Sequence, residues 1–142
     1  MTYEHKVQYY ETDAMKIVHH SNYIRWMEEA RVHFLEQIGC PLESLEEMGI
    51  TIPVLDVSCK YINMTRFGES AEVTAFIDEF KGVRMHVKYI IRRSSDGEIS
   101  CTAESSHCFL KDGKVINLKR KYPEIYARFE GEICNDDGHK NG

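Results

Sequence analysis

One long amphipathic helix, followed by segments in which apolar and polar residues alternate, constrains the fold of this 142-residue chain more than any other feature. Between Ser21 and Gly39 the apolar side chains recur at helical spacing, which predicts a helix with one broad apolar face. Ser21 or Asn22 is expected to cap its first turn, and Gly39 to take the left-handed conformation after its last turn. A shorter helix is predicted from Pro41 to Gly49. Beyond Gly49 the apolar period falls to two residues, which predicts strands.

The alternating segments predict antiparallel hairpins, because short turns rich in glycine and aspartate separate them. These turns are Lys81-Gly82, Ser95-Asp96-Gly97 and Asp112-Gly113. The strand candidates are Glu4 to Tyr9, Ile50 to Asn63, Ala71 to Ile77, Met85 to Ile91 and Ile99 to Phe109. The order of elements predicts an α+β domain in which one sheet covers one helix. Since a helix covers only one sheet face, a dimer that continues the sheet is the simplest way to protect the edges.

The composition argues against several classes of protein. The chain has 18 Lys and Arg residues against 23 Asp and Glu residues, a net charge of −5, so no nucleic-acid partner is expected. No membrane span is predicted, and the first residues lack the features of a secretory signal, so a cytoplasmic location is expected. The five cysteines form no C-x-x-C pair, which argues against a disulfide framework or a zinc site. A single domain over residues 1–129 is predicted, with a polar, frayed tail over residues 130–142.

The segment that leads into the long helix carries the candidate chemistry. Backbone N–H groups in the first turn of a helix are unpaired, and together with the helix dipole they favour an anion or a developing oxyanion. Asp13 lies a few residues upstream and could act there as a nucleophile or as a general base for water. The alternative is that Asp13 only interacts with the helix dipole. His19 and His20 are adjacent, so their side chains are expected to diverge and not to share a metal.

A longer motif points to a family. The run Y-x-E-T-D-x-M-x-x-V-H-H-S-N-Y-x-R-W-x-E-x-A-R, from Tyr9 to Arg31, resembles the 4-hydroxybenzoyl-CoA thioesterase family, and within it the acyl-CoA thioesterases associated with the Tol-Pal system. The likeness continues weakly over most of residues 3–128. It implies the hotdog fold, an antiparallel sheet of five or more strands around one long central helix. It also implies that Asp13 attacks the thioester carbonyl or activates water, while the backbone amide of His20 holds the oxyanion.

The resemblance implies further site residues and an oligomer. Family sites lie between subunits, so a homodimer or homotetramer with shared active sites is expected. Candidate substrate-binding residues are Tyr9, His19 and Tyr23 for the acyl part and Lys81 and Arg84 for the coenzyme A phosphates. Tyr23 also lies on the apolar stripe of the helix, so packing in the core is the alternative for it. No metal and no cofactor is implied, because coenzyme A is part of the substrate. One departure stands out: Lys16 occupies a position that is usually glycine, and it would adopt the backbone angles of glycine only with strain.

The hypothesis from the sequence is therefore a thioesterase that hydrolyses acyl-CoA to a free acid and coenzyme A. A hotdog dehydratase or hydratase is the second possibility, and it would need a histidine such as His19, His20 or His107 opposite an acid. A third is a non-catalytic acyl-CoA binding module in which Lys16 has disabled the site. The length and aromatic or aliphatic nature of the acyl group stay open.

Overall fold

In the computed structural model, which describes residues 2–134, a 17-residue helix lies against a five-stranded antiparallel sheet. The strands are β1 (Thr2–Lys6), β2 (Ile50–Thr51), β3 (Val54–Tyr61), β4 (Ser70–Phe80), β5 (Arg84–Arg93), β6 (Ile99–Cys108), β7 (Leu110–Lys111) and β8 (Lys114–Val115). The helices are α1 (Ser21–Gln37), α2 (Leu42–Glu47), α3 (Leu118–Lys121) and α4 (Pro123–Glu130). The large sheet has the order β1-β4-β5-β6-β3, and a small one has the order β2-β7-β8. The predicted α+β hotdog architecture is confirmed.

The core lies between α1 and the helix-facing side of the large sheet. Trp26 and Met27 of α1 are fully buried, as are Val73 and Ile91 of the sheet. Because alternate strand residues point to one face, the period of two seen in the sequence becomes the apolar face that packs on the helix. None of the helices among residues 2–134 is long and apolar enough to cross a membrane.

The helix ends only partly follow the prediction. Gly39 takes the left-handed conformation with φ +79°, as predicted for the residue after α1. The predicted cap at Ser21 or Asn22 is wrong, because Ser21 is already helical and His20 occupies the N-cap without a side-chain capping bond. The Asn22 side chain instead donates to the carbonyls of Glu11 and His19, 3.0 and 3.1 Å away, because the preceding loop folds back over the helix start.

Two strand predictions need correction at their ends. The first strand covers Thr2–Lys6, and a short 3-10 turn follows it at Tyr9–Glu11. The predicted strand from Ile50 to Asn63 is divided into β2 and β3 by Ile52 and Pro53, since proline has no N–H to donate to a ladder. The three predicted turns do separate neighbouring antiparallel strands.

The fold continues past residue 129, where the sequence places the domain boundary. Phe129 of α4 is buried against the rings of Phe80 and Phe109, with centroids 5.8 and 5.4 Å away. Beyond α4, Ile133 forms a bridge with Ile77, and the Cys134 amide donates to the Ile77 carbonyl at 2.8 Å. Residues 130–134 therefore pack on the domain, whereas residues 135–142 of the predicted tail lie outside the described residues.

Candidate active site

The segment before α1 folds as a short hairpin. The His19 amide donates to the Glu11 carbonyl, and the Asp13 amide donates to the Ile17 carbonyl, both at 2.9 Å. The outer limb of the hairpin also pairs with the segment before β4, where the Val18 amide donates to the Thr65 carbonyl at 2.8 Å. These bonds hold the hairpin against the start of α1, so that Asp13 and the first helical amides belong to one local unit.

The carboxylate of Asp13 has one held oxygen and one open oxygen. Its Oδ1 accepts hydrogen bonds from the backbone amides of Met15, at 2.8 Å, and Ile17, at 3.2 Å. These bonds fix the side chain within its own turn. Oδ2 has no hydrogen-bond partner within residues 2–134, and the residue is exposed. An oriented carboxylate with one free oxygen can attack a carbonyl carbon or take a proton from water.

The N-terminus of α1 presents an unpaired donor. The His20 amide finds no acceptor within the part of the chain that the structure describes, as expected for the N-cap of a helix. The side chain of Tyr61 of β3 lies beside the start of α1, because its hydroxyl donates to the His20 carbonyl at 3.4 Å. Burial, with a smaller effect of the Cys59 thiol, raises the pKa of Tyr61 to about 12, so the phenol stays protonated at neutral pH. The arrangement can donate to a carbonyl oxygen that becomes negative.

The two histidines do not diverge as predicted. Their rings stack with centroids 4.5 Å apart, because His19 precedes the helix and its Nδ1 lies 2.8 Å from the Ser21 hydroxyl. No three His, Cys, Asp or Glu side chains within residues 2–134 form a metal-ligand group.

The candidate acyl-binding residues have different surroundings. Tyr9 is 68% exposed and its ring meets the edge of the Phe67 ring, at 5.6 Å between centroids, so most of its side chain is accessible to a ligand. His19 is also exposed beside the site. Tyr23 is only 3% exposed, and its hydroxyl is 2.9 Å from the Thr65 hydroxyl. Tyr23 is therefore a core residue of this chain, and the prediction that it contacts substrate is not supported by its position.

Lys81 and Arg84 lie far from Asp13 in the same chain. The hairpin that carries Asp13 packs beside the start of β4, whereas Lys81 follows the end of that 11-residue strand. At 3.3 Å per residue the two ends of β4 are roughly 33 Å apart. Arg84 forms an exposed ion pair with Asp56, at 2.9 Å. One chain therefore does not bring these basic residues to the candidate site.

A cavity of about 150 Å³ opens between the second half of α1 and the sheet. A buried polar chain runs beside it: Arg31 donates to the Tyr89 hydroxyl at 3.0 Å, and the Ser105 hydroxyl lies 2.6 Å from Tyr89 and 2.7 Å from His107 Nε2. Burial, and then the charge of Arg31, lower the pKa of His107 to about 4, so this ring is neutral at pH 7. The cavity is lined by Glu28, Arg31, Val32, Phe34, Leu35, Leu42, Ile52, Val54, Ala75, Ile77, Met85, Val87, His107 and Phe129.

Comparison with known proteins assigns this geometry to a family. The sequence pattern of the thioesterase-like superfamily matches residues 7–129. The chain belongs to the thioesterase-like superfamily. The superfamily assignment makes this protein a thioester hydrolase and favours hydrolysis over the hydratase reaction.

Individual members of the superfamily agree over nearly the whole chain. A Bacillus subtilis (strain 168) protein provisionally named acyl-CoA thioesterase YneP is 34% identical over 129 residues, 89% of this chain and 93% of its own. The crystal structure of a hypothetical protein from Aquifex aeolicus is 33% identical, covers 88% of this chain and 98% of its own, and has a TM-score of 0.81. A DHNA-CoA thioesterase from Staphylococcus aureus is 28% identical, covers 90% of this chain and 87% of its own, and has a TM-score of 0.84.

The superfamily is a coarser assignment than the resemblance suggested. The 4-hydroxybenzoyl-CoA thioesterase of Pseudomonas sp. strain CBS-3 has the same fold, with a TM-score of 0.77, but is only 19% identical over 89% of this chain and 97% of its own. That enzyme is a distant structural neighbour of this chain, so the likeness extends to the fold alone.

Lys16 stands where the family resemblance leads us to expect glycine. Its backbone has a conformation that glycine adopts readily and other residues adopt rarely. Its φ of +62° places it in the left-handed region, directly after the turn that holds Asp13. A non-glycine residue pays about 1–2 kcal/mol for this conformation. Lys16 therefore adopts a backbone conformation that glycine would adopt at this position without strain.

Lys16→Gly is expected to raise the free energy of unfolding by roughly 1 kcal/mol, because relief of the left-handed strain exceeds the entropy that glycine adds to the unfolded chain. Urea unfolding of the purified variant measures this. The same change at Lys60, an exposed residue of β3, should lower stability instead. Equal effects at the two positions would show that Lys16 carries no strain.

Sequence reasoning missed Glu11 and Tyr61, which both contact the ends of the candidate site. Glu11 is buried at the base of the hairpin, and Tyr61 reaches the start of α1 from β3. The motif includes Glu11, but no local pattern marks an acidic residue as buried. Tyr61 is forty-one residues from His20, so only the sheet topology brings them together.

Proposed function

We propose that this thioester hydrolase cleaves acyl-CoA thioesters to a free acid and coenzyme A, with Asp13 as the reacting carboxylate and the His20 amide as the oxyanion donor. One observation carries the proposal: the free Oδ2 of Asp13 lies on a hairpin that leads directly to an unpaired helical amide. The names of the relatives from Bacillus subtilis and Staphylococcus aureus support coenzyme A thioesters as the substrate class.

The chemistry requires only groups of the chain and water. In one route Asp13 Oδ2 attacks the thioester carbonyl, the C–S bond breaks, and water then hydrolyses the mixed anhydride so that the free acid leaves and Asp13 is restored. In the other route Asp13 Oδ2 removes a proton from a water that attacks the carbonyl carbon, and the C–S bond then breaks to give the free acid. The His20 N–H stabilises the negative charge on the carbonyl oxygen in the tetrahedral intermediate. The departing thiolate takes a proton from solvent in the first route, and the proton held by Asp13 in the second, and leaves as the free thiol of coenzyme A. No cofactor takes part, because coenzyme A enters and leaves as part of the substrate.

A second copy of the chain is proposed to complete the site. β3 lies at the edge of the large sheet, and its helix-side residues Val57 and Tyr61 are apolar yet 38% and 46% exposed. Asp56, Ser58 and Lys60 alternate with them on the other side. An exposed edge with an apolar face is a ready site for pairing with another strand. Pairing of two β3 strands about a two-fold axis would extend the sheet and cover this face.

Such pairing would bring opposite ends of two chains together. In β3, Tyr61 lies beside the His20 end of its own chain, whereas Val54 pairs with His107 at the Arg84 end. In an antiparallel pair the Tyr61 end of one strand meets the Val54 end of the other. The proposed dimer therefore places Arg84 and Lys81 of the second copy near Asp13 of the first, as contacts for the coenzyme A phosphates. The 150 Å³ cavity of the second copy would receive the acyl group.

Two finer assignments belong to the same proposal. The relation to the Tol-Pal-associated thioesterases is supported by the motif from Tyr9 to Arg31. A cytoplasmic location is supported by the five cysteines, because no disulfide joins them within residues 2–134, as expected in a reducing compartment.

The experiment that tests the function is a thiol-release assay with the purified wild-type protein. A panel of aromatic, short aliphatic and long aliphatic acyl-CoA thioesters should release coenzyme A, with a preference for acyl groups of about the size of one ring, which a cavity of this volume accommodates. Binding of every acyl-CoA without thiol release would favour the non-catalytic module, and water addition to an enoyl-CoA would favour the hydratase.

A further inference from the structure

A buried carboxylate lies two residues before Asp13 and connects the hairpin to the rest of the fold. Glu11 is 4% exposed. Its Oε1 accepts from the Gln8 amide at 2.7 Å and lies 2.8 Å from His5 Nε2, while its Oε2 accepts from the Trp26 indole at 2.7 Å. The other ring nitrogen of His5 lies 2.8 Å from Glu29 Oε2 on α1. One carboxylate thus binds β1, the start of the hairpin and the middle of the central helix.

The backbone of Glu11 makes a second set of bonds at the same place. Its carbonyl accepts from the His19 amide at 2.9 Å and from Asn22 Nδ2 at 3.0 Å. Asn22 is 5% exposed and also donates to the His19 carbonyl at 3.1 Å. Glu11 and Asn22 together clamp both limbs of the hairpin to the first turn of α1. Asp13 lies two residues after Glu11 on one limb of the hairpin, and His20 comes directly after His19 at the end of the other limb.

We propose that the ionised side chain of Glu11 is a positioning group for the thioesterase reaction, which sets the Asp13 carboxylate relative to the His20 amide. This inference rests on the proposed function of that site. Glu11 touches neither reacting group, so its effect passes through the hairpin. Displacement of a reacting group by about 1 Å costs an enzyme on the order of 100-fold in rate, so a rigid clamp at this position has a large effect.

The two neighbours that can only donate favour the charged form of Glu11. The Gln8 amide and the Trp26 indole can only donate, and each meets a different oxygen of the carboxylate. Burial raises the pKa of Glu11, but the bonds from Gln8, His5 and Trp26 together outweigh it and hold the pKa below its usual value. Glutamine at this position would turn its NH₂ group against one of these donors in either orientation, although it has almost the same volume.

The test compares Glu11→Gln with Glu29→Gln as a matched control. Glu29 contacts the same His5 and also accepts from the Tyr3 hydroxyl at 3.0 Å, but it makes no hydrogen bond to the hairpin. Hydrogen–deuterium exchange of residues 12–20 and the kinetics of thiol release are measured for both. Glu11→Gln should speed exchange of this segment and lower kcat about 10- to 100-fold with KM nearly unchanged. Glu29→Gln should change neither quantity.

Similar effects of the two variants on exchange and kcat would overturn the proposal, because the role of Glu11 would then be one of general stability. If the wild-type protein releases no thiol, the proposed function fails, whereas the exchange comparison still decides whether Glu11 orders the hairpin. Should Glu11→Gln fail to fold, Asn22→Asp tests the same clamp, since the helix dipole favours the new charge while the two donated bonds are lost. Unchanged exchange in Asn22→Asp would count against the clamp.

Discussion

Asp13→Asn is expected to lower kcat for thioester hydrolysis by at least about 100-fold while the free energy of unfolding changes by less than about 0.5 kcal/mol. The amide oxygen of asparagine can accept the same bonds from Met15 and Ile17 that hold Oδ1 of the aspartate. The neutral NH₂ group would replace the open oxygen, and it can neither attack a carbonyl nor take a proton from water. The variant therefore keeps the hydrogen bonds of the turn and replaces only the oxygen that would react.

Thiol release and urea unfolding of the same preparation measure the two effects. Asp112→Asn is a matched control, because Asp112 is an exposed residue in the turn between β7 and β8 whose φ of +51° asparagine also adopts readily. That control should retain wild-type kinetics. Near wild-type thiol release by Asp13→Asn would mean that another group performs the reaction, and equal loss of stability and activity would point to a structural role for Asp13.

Val57→Lys is expected to convert the protein from a dimer, with twice the 16.5 kDa mass of one chain, to a monomer. In one chain Val57 is 38% exposed, so a lysine is tolerated by the fold. In a dimer joined through β3, the two lysines would be buried near the symmetry axis without partners, which costs several kcal/mol. The site would lose the second copy, so kcat/KM for acyl-CoA should fall by about 100-fold or more.

Light scattering and thiol release test this prediction together. Ser58→Lys is the matched control, because Ser58 is the next residue of β3 and faces the polar side of the sheet. It should remain a dimer with normal activity. A fully active Val57→Lys monomer would show that one chain contains the whole site. If Val57→Lys stays dimeric with normal activity, the subunits associate through another surface.

The parts of the fold that depend on short-range patterns were predictable. The apolar stripe of α1 and the turns at Lys81-Gly82 and Asp112-Gly113 are local signals, because helix and hairpin geometry repeats over a few residues. The segment around Asp13 was predicted only as a loop that leads into α1, and its hairpin and the left-handed conformation of Lys16 are findings of the structure. The start of α1 was wrongly predicted because a cap depends on where the preceding loop folds.

The parts that depend on packing between distant segments were not predictable. The helical stripe left Tyr23 with either a core or a substrate-binding role, and only the packing against Thr65 shows that it is buried while Tyr9 is exposed. Glu11 resembles any acidic residue in a loop until His5 and Trp26 surround it. Lys81 is a candidate phosphate contact by resemblance, and the length of β4 separates it from Asp13 within one chain.

The amino-acid sequence by itself determined the class of this protein: the helix, the strands, the superfamily motif and the position of Asp13 before a helix N-terminus all follow from residues close together in the chain. The tertiary structure decided which of those residues share a site. Burial of Glu11 and Tyr23 arises from contacts with other segments of the chain, whereas the open oxygen of Asp13 follows from bonds within its own turn. The exposed apolar face of β3 follows from its position at the edge of the sheet. Local periodicity indicates which side chains point into the core, but only the complete tertiary structure determines which residues they contact there.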